Sequence, residues 1–392
     1  MSNKHRYIAN SVFLPALTLL VSCLFSVSIF LKNADAAQSF SSQKHDFYLD
    51  EIASGFDTPW GLAFITPNKL ILTERDSDIF LLDLKAKNQK QISGHPKIES
   101  SGQGGLLDVA LPSVKPENYQ DKIRLYFTYS KSTEAGLATT LASAELVGQH
   151  LINWQDILVT QSANDNTRHF GSRITFDGQG HLFFSIGDRA ERDNAQNLSN
   201  HAGAIIRLTL DGKTPADNPF VDSKEVLAEI WSYGHRNPQG LVFDKTHKRL
   251  WSIEHGPRGG DEINLIEKGK NYGWPLVSQG KEYWGPISVG EEKMPGMQAA
   301  KKVYTPSIAP GGLTLYQGKA FPKWQGSLFS GAMKLKHLNR VEIDENGHIT
   351  SEERLLESLE QRIRAVITGP DGYLYFSSDN GKIYRLRPQN TG

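Results

Sequence analysis

One short pattern recurs six times along this chain: an apolar strand, a Gly, Asp-Gly or Pro-Asn turn, a second strand rich in Leu, Phe and Tyr, then a polar loop and a third strand. It runs from Gly61-Leu62-Ala63-Phe64 to Leu70-Ile71-Leu72, from Gly105-Leu106-Leu107-Asp108-Val109-Ala110 to Leu125-Tyr126-Phe127, and from Ser172-Arg173-Ile174-Thr175-Phe176 to Leu182-Phe183-Phe184-Ser185. It returns from Gly240-Leu241-Val242-Phe243 to Leu250-Trp251-Ser252, from Gly312-Leu313-Thr314-Leu315 to Ser327-Leu328-Phe329, and from Arg364-Ala365-Val366-Ile367 to Tyr373-Leu374-Tyr375-Phe376. The starts lie roughly 44 to 72 residues apart, the spacing of four-stranded blades that carry one long loop each. Asp177-Gly178, Asp211-Gly212 and Asp371-Gly372 are hairpin signals, and no long segment carries a helical period. The expected fold is all-β, a six-bladed β-propeller with four-stranded antiparallel blades. The early strand around Phe47 to Ile52 is expected to complete the last blade and close the ring.

Such a ring needs no covalent staple, because each blade buries both faces against its neighbours and few edges stay free. The single cysteine, Cys23, lies in an N-terminal segment of another kind. There Lys4, His5 and Arg6 form a basic region, residues 11–31 are almost uninterrupted apolar or small, and Ala34-Asp35-Ala36 offers a small-x-small cleavage site before Ala37. Residues 1–36 are read as a cleaved signal peptide for export to the bacterial periplasm, and 37–392 as a single propeller domain without an internal linker. An uncleaved membrane anchor competes with this reading, since an apolar run of about twenty residues can span a bilayer. So does a lipoprotein, since Leu20-Val21-Ser22-Cys23 resembles a lipidation box. Lys plus Arg and Asp plus Glu both total 43, so no net field recruits nucleic acid or anionic lipid, and any charge function is local.

Local charge is concentrated in one region. Gly234-His235-Arg236-Asn237-Pro238-Gln239-Gly240 is followed by Glu254-His255-Gly256-Pro257, by Asp261-Glu262-Ile263-Asn264-Leu265 and by Asn271-Tyr272-Gly273-Trp274. A fixed cation, an amide, hard oxygen donors and rigid Gly/Pro turns thus fall within about forty residues, a kit for holding a polyanionic cofactor beside a hard metal ion. Lys281 to Lys302, rich in Gly, Pro, Glu and Met, reads as a long loop over the central channel.

With Gly102-Gln103-Gly104-Gly105-Leu106-Leu107-Asp108, His169-Phe170-Gly171-Ser172-Arg173, Ser185-Ile186-Gly187-Asp188 and Arg362-Ile363-Arg364 in order around six repeats, the chain resembles the soluble aldose sugar dehydrogenases that use pyrroloquinoline quinone (PQQ). The resemblance runs from about Gly55 to Arg385. It implies oxidation of an aldose at the anomeric carbon to a lactone, with electrons passed on to a periplasmic acceptor by a monomer or homodimer.

That chemistry requires a base near neutral pKa to take the anomeric hydroxyl proton. The resemblance makes His169 the base, with Asp188 holding its tautomer; the plainer reading is a loop histidine bonded to backbone. PQQ carries three carboxylates and an ortho-quinone, so its pocket needs several cations and a Lewis acid. By resemblance Arg236 and Asn237 contact the quinone, Gln103 hydrogen-bonds it, and Lys334, Lys336, Arg362 and Arg364 approach its carboxylates. For the two lysines a solvated strand edge is the plainer reading, so one of them is expected as a direct ligand. Arg362 and Arg364 alternate along a strand and so share a face, with surface pairing to Glu357 or Glu360 as the alternative. Family precedent assigns backbone oxygens of Gly256 and Pro257 to a Ca2+ beside the cofactor, and Glu262 with the Tyr272 carbonyl to a further, structural Ca2+. Capping or pairing within a strand is the plainer role for Asp261 and Glu262.

Arg168 stands where the glucose-preferring branch tends to place an acidic residue, which favours a broad aldose preference. Tyr233, Trp274, Tyr283 and Trp284 could stack on a sugar, yet most propeller aromatics are blade core, and none is assigned a substrate contact. Two other functions compete. A Ca2+-dependent lactonase-like hydrolase would need no cation cluster, and a non-catalytic carbohydrate-binding propeller would bind without turnover.

Overall fold

The computed structural model describes residues 38–389, so Cys23 and the expected signal, anchor or lipidation features of residues 1–36 lie outside the described residues. Those residues form six antiparallel sheets, and five of them have four strands that follow one another in chain order. The first blade takes Pro59–Thr66, Lys69–Glu74, Ile79–Asp83 and Asn88–Gln91; the second takes Leu106–Ala110, Ile123–Thr133, Gly136–Val147 and His150–Val159. The third is Ile174–Phe176, His181–Ser185, Ala204–Thr209 and Ile230–Tyr233, and the fourth Pro238–Asp244, Arg249–Glu254, Asp261–Ile266 and Lys302–Tyr304. The fifth is Pro310–Leu315, Leu328–Ala332, His337–Ile343 and Ile349–Leu355. Helix among the described residues is confined to three short 3₁₀ turns.

The sixth blade closes the ring. Its strands Ile363–Thr368, Leu374–Ser378 and Lys382–Pro388 come from the end of the chain, and Asp46–Ser54 adds a fourth from the beginning, Phe47 opposite Pro388 and Ser54 opposite Lys382. Gln38–Ser41 pairs on the outside as a fifth strand, one more than the repeat requires. Phe47 is fully buried, and its ring meets Trp324 of the fifth blade edge-on at 5.7 Å.

Burial follows the radius of the ring. The innermost strands Pro59–Thr66 and Pro310–Leu315 are buried at every position, whereas the outermost Asn88–Gln91 is exposed throughout. A strand covered on both faces reads as a continuous apolar run, which is why the innermost strands stand out in the sequence. Near the axis the backbones press together: a Cβ on Gly311 would lie 2.1 Å from the Arg364 carbonyl oxygen of the next blade.

In five of the six blades the innermost strand is bulged against its neighbour, between Pro59 and Gly61, Leu106 and Val109, Pro238 and Gly240, Pro310 and Leu313, and Ile363 and Val366. A bulge leaves a residue out of the ladder and re-aims its side chain. Here the residues left out include Trp60, Leu107, Gln239 and Arg364, and all four line one pocket on the axis.

Candidate active site

Every blade contributes to this axial pocket. Its walls are Trp60 and Arg75 from the first blade, Gln103 and Leu107 from the second, Phe170 and Gly171 from the loop entering the third, Asn237, Gln239 and His255 from the fourth, Ala309 and Met333 from the fifth, and Arg362 and Arg364 from the sixth. Below it Arg173 plugs the channel, packed 3.8 Å from the Trp60 ring and donating to Asp108 Oδ1, the Trp60 carbonyl and the Gln239 carbonyl.

His169 adjoins the wall, on the loop before the third blade, in a left-handed conformation with φ of 57°. Gln103 Oε1 accepts its backbone N–H at 2.9 Å, and a Cβ on Gly187 would come within 2.2 Å of its carbonyl oxygen, so Gly187 is what lets this loop sit close. The imidazole Nδ1 lies 2.6 Å from Asp188 Oδ1. Asp188 also accepts the Ala190 amide on Oδ1 at 2.7 Å and the Trp274 indole N–H on Oδ2 at 2.8 Å. Burial opposes the carboxylate charge, yet the His169 hydrogen bond, Arg236 and the Ala190 amide outweigh it and hold Asp188 below the usual carboxylate range. Burial also lowers the His169 pKa, against the pull of Asp188 and with the help of Arg236 and Arg168. A neutral imidazole whose Nδ1–H is engaged presents Nε2 as a proton acceptor.

Asn237 Oδ1 accepts the Gly171 amide at 3.1 Å and Gln239 Nε2 at 3.2 Å, tying the fourth blade to the loop that carries His169. Arg236 donates from Nη1 to the Gly256 carbonyl at 2.7 Å, while its Nε is buried without a partner. His235, next in sequence, is a core residue held between Ser232 and Glu254 and stacked on Tyr272.

Arg362 and Arg364 both face the pocket, although Arg362 precedes its strand. The carboxylate they share is Asp379, at 2.7 Å from each Nε, and neither Glu357 nor Glu360 is the partner. Burial works against Asp379, but the two guanidinium groups hold it below its ordinary range. Lys334 and Lys336 are exposed on the turn 333–336 rather than on a strand edge, and it is Met333 of that turn that lines the pocket.

The Gly256–Pro257 loop is held by Asp261, whose carboxylate accepts the Gly256 amide, the Ser307 hydroxyl and the Ala309 amide. Glu262 stands directly across the ladder from Glu254, and Asn264 Nδ2 donates to both carboxylates. Burial first, then Glu254, pushes Glu262 up to about 8. Opposed like charges destabilise a sheet, so this pair is suited to a hard cation with the Tyr272 carbonyl nearby in sequence. No group of three or more metal-ligating side chains occurs among the described residues, so a cation at Gly256 and Pro257 depends on backbone oxygens. For a polyanion the fit is direct: Arg75, Arg362 and Arg364 line the pocket, Asp379 is shared by the last two, and Arg75 Nε is buried without a hydrogen-bond partner, its nearest carboxylate being Asp76 at 3.8 Å.

Sequence reading missed Arg75, His255 and the role of Trp274. Arg75 lies in the turn that follows the ordinary-looking strand Lys69–Glu74, and His255 lies in a stretch that reads as a Gly/Pro turn. Burial takes the His255 pKa down to about 3, so it is a neutral wall residue that donates Nε2–H to the Pro310 carbonyl at 2.7 Å.

An axial pocket walled by all six blades, rich in guanidinium groups and bordered by a carboxylate-held imidazole, defines a propeller of the enzyme class rather than a passive scaffold. The family model described as Glucose / Sorbosone dehydrogenase matches residues 56–385, and the chain belongs to that family. It is similar to the aldose sugar dehydrogenase YliI of Escherichia coli (strain K12), at 39% identity over 344 residues, covering 85% of this chain and 91% of that protein. It is also similar to quinoprotein glucose dehydrogenase B of Acinetobacter calcoaceticus, at 26% identity over 427 residues, covering 88% and 87%. The solved apo-form structure of the soluble aldose sugar dehydrogenase from Escherichia coli superposes with a TM-score of 0.82 at 35% identity, over 88% of this chain and all of that one (100%).

Proposed function

We propose that this chain oxidises aldose sugars at the anomeric carbon to lactones with PQQ and Ca2+, as an exported protein that passes electrons to a periplasmic acceptor. The observation that carries the reading is the His169–Asp188 pair at 2.6 Å beside a pocket lined by three arginines. Arg75, Arg362, Arg364 and Gln103 would hold the cofactor, with Arg236 and Asn237 alongside, Lys334 and Lys336 at the exposed turn as outer cations, and Gly256 and Pro257 as oxygen donors to the ion. When bound, PQQ supplies a Ca2+-polarised ortho-quinone that takes up the hydride equivalent leaving the sugar.

The chain's own residues manage the proton. Asp188 keeps Nδ1 of His169 protonated, so Nε2 is free to take the anomeric hydroxyl proton, and the carboxylate then stabilises the imidazolium. Burial keeps His169 neutral beforehand. Arg168, exposed at the rim, leaves the sugar entrance without an acidic residue at that position, in keeping with a broad aldose preference. A hydrolase would have no use for the arginine cluster.

The test reconstitutes purified protein with PQQ and Ca2+ and follows dye reduction across a panel of aldoses. Turnover that depends on both additions supports the proposal, and inactivity on every sugar overturns it. In His169→Gln, turnover should fall by about two to four orders of magnitude while PQQ still binds, as read by its absorbance.

A further inference from the structure

We propose that Trp274 is a positioning residue for the acid–base pair: its indole N–H fixes the second oxygen of Asp188 and thereby sets both the orientation and the basicity of His169. Only the activity arm of its test rests on the sugar-oxidation reading above.

Asp188 comes from the third blade and Trp274 from the long loop of the fourth, 86 residues apart, yet the two meet at 2.8 Å in a site closed to water. With His169 and the Ala190 amide on Oδ1, the indole on Oδ2 leaves the carboxylate no freedom to rotate. Trp274 is itself locked. Its amide donates to the Gly234 carbonyl at 2.9 Å and its carbonyl accepts Gln196 Nε2 at 2.6 Å. Two guanidinium groups pack on its ring, Arg236 at 5.2 Å and Arg192 at 5.6 Å from the centroid. Arg192 is clamped in turn by both oxygens of Glu282, at 2.6 and 2.7 Å. A buried N–H aimed at the outer oxygen of a carboxylate that holds a histidine does for that histidine what outer partners do for metal-bound ones: it fixes the ring and tunes its basicity.

The sign follows from the charge. A donor on Oδ2 draws negative charge away from the oxygen that faces His169, so the imidazolium is stabilised less and the base stays neutral. Removing that donor concentrates the charge on Oδ1 and makes His169 more basic. The other charged or titratable groups facing the pair are Arg168, Arg189, Arg192, Arg236 and His255; Trp274→Phe leaves all five in place and retains an aromatic ring for Arg192 and Arg236 to pack on.

Trp274→Phe keeps the ring and removes the N–H. In the purified chain without added quinone, the His169 imidazole followed by NMR should titrate at higher pH than in the wild type. With PQQ and Ca2+, kcat should fall about tenfold at unchanged KM, and the acid limb of the pH profile should move upward. An unshifted His169 titration together with an unmoved acid limb overturns the proposal and leaves Trp274 as packing. If the variant does not fold, the wild type decides: the Trp274 indole proton should exchange slowly and shift when His169 is protonated, whereas exchange as fast as that of the exposed Trp284 overturns it. A wild type that oxidises no sugar but shows the expected NMR behaviour sinks the proposed function and spares this inference.

Discussion

At the scale of single residues the site works by withholding solvent. The His169 side chain is only 12% exposed, and burial outweighs the adjacent carboxylate in deciding its charge. Because its folded pKa lies below the ordinary histidine value of about 6.5, the neutral base is present throughout the neutral range and is lost only as pH falls through the lowered value. The predicted profile of kcat/KM against pH is therefore flat from neutrality to below the ordinary histidine range before it declines. Steady-state kinetics on the reconstituted enzyme check this, and a decline centred above that range would contradict it. The same sign holds for stability: burying a neutral imidazole helps the fold above the unfolded pKa, and that help is lost as pH drops. His169 and Asp188 were legible in the sequence because each sits in a compact motif. Trp274 was legible only as an aromatic, since its partner lies on another blade, and Arg75 carried no local signal.

At the scale of strands, the repeat is visible and the bulges are not. Alternating or continuous apolar runs report which face is buried, but an unpaired residue such as Gln239 or Arg364 depends on how two strands slip in register, which the pattern does not encode. The Glu254–Glu262 step in the fourth blade is a similar case, for the two carboxylates become neighbours only across the ladder. Glu262 has its pKa raised in the fold, so its contribution to stability is present below the unfolded value and is lost as pH rises through about 8. Thermal denaturation should accordingly show a lower Tm at pH 9 than at pH 7, with Ca2+ restoring much of the loss. Glu262→Gln should remove the pH effect and weaken the Ca2+ response, leaving only what an ion at Gly256 and Pro257 supplies. A calcium response undiminished by this substitution would show that Ca2+ does not bind at Glu262.

At the scale of the whole molecule, function depends on closure. The pocket takes a wall from each of the six blades, and the strand Asp46–Ser54 completes the sixth from the outside. Phe47→Ala removes a fully buried ring at that seam and should cost about 3–5 kcal/mol in chemical denaturation. If the ring melts as one unit, the loss appears as a lower midpoint at unchanged slope; a separate early transition would instead show the sixth blade opening alone. The sequence by itself determined the six repeats, the all-β class, the seam strand and the ordered motifs that carry the family resemblance, because these are local patterns of burial and turn chemistry. Tertiary structure alone decided that Asp379 is the carboxylate of Arg362 and Arg364, that Trp274 holds Asp188, and that Lys334 and Lys336 stand outside the pocket. Those pairings join segments brought together by the curvature of a closed ring, and curvature is a property of packed blades that no single strand contains.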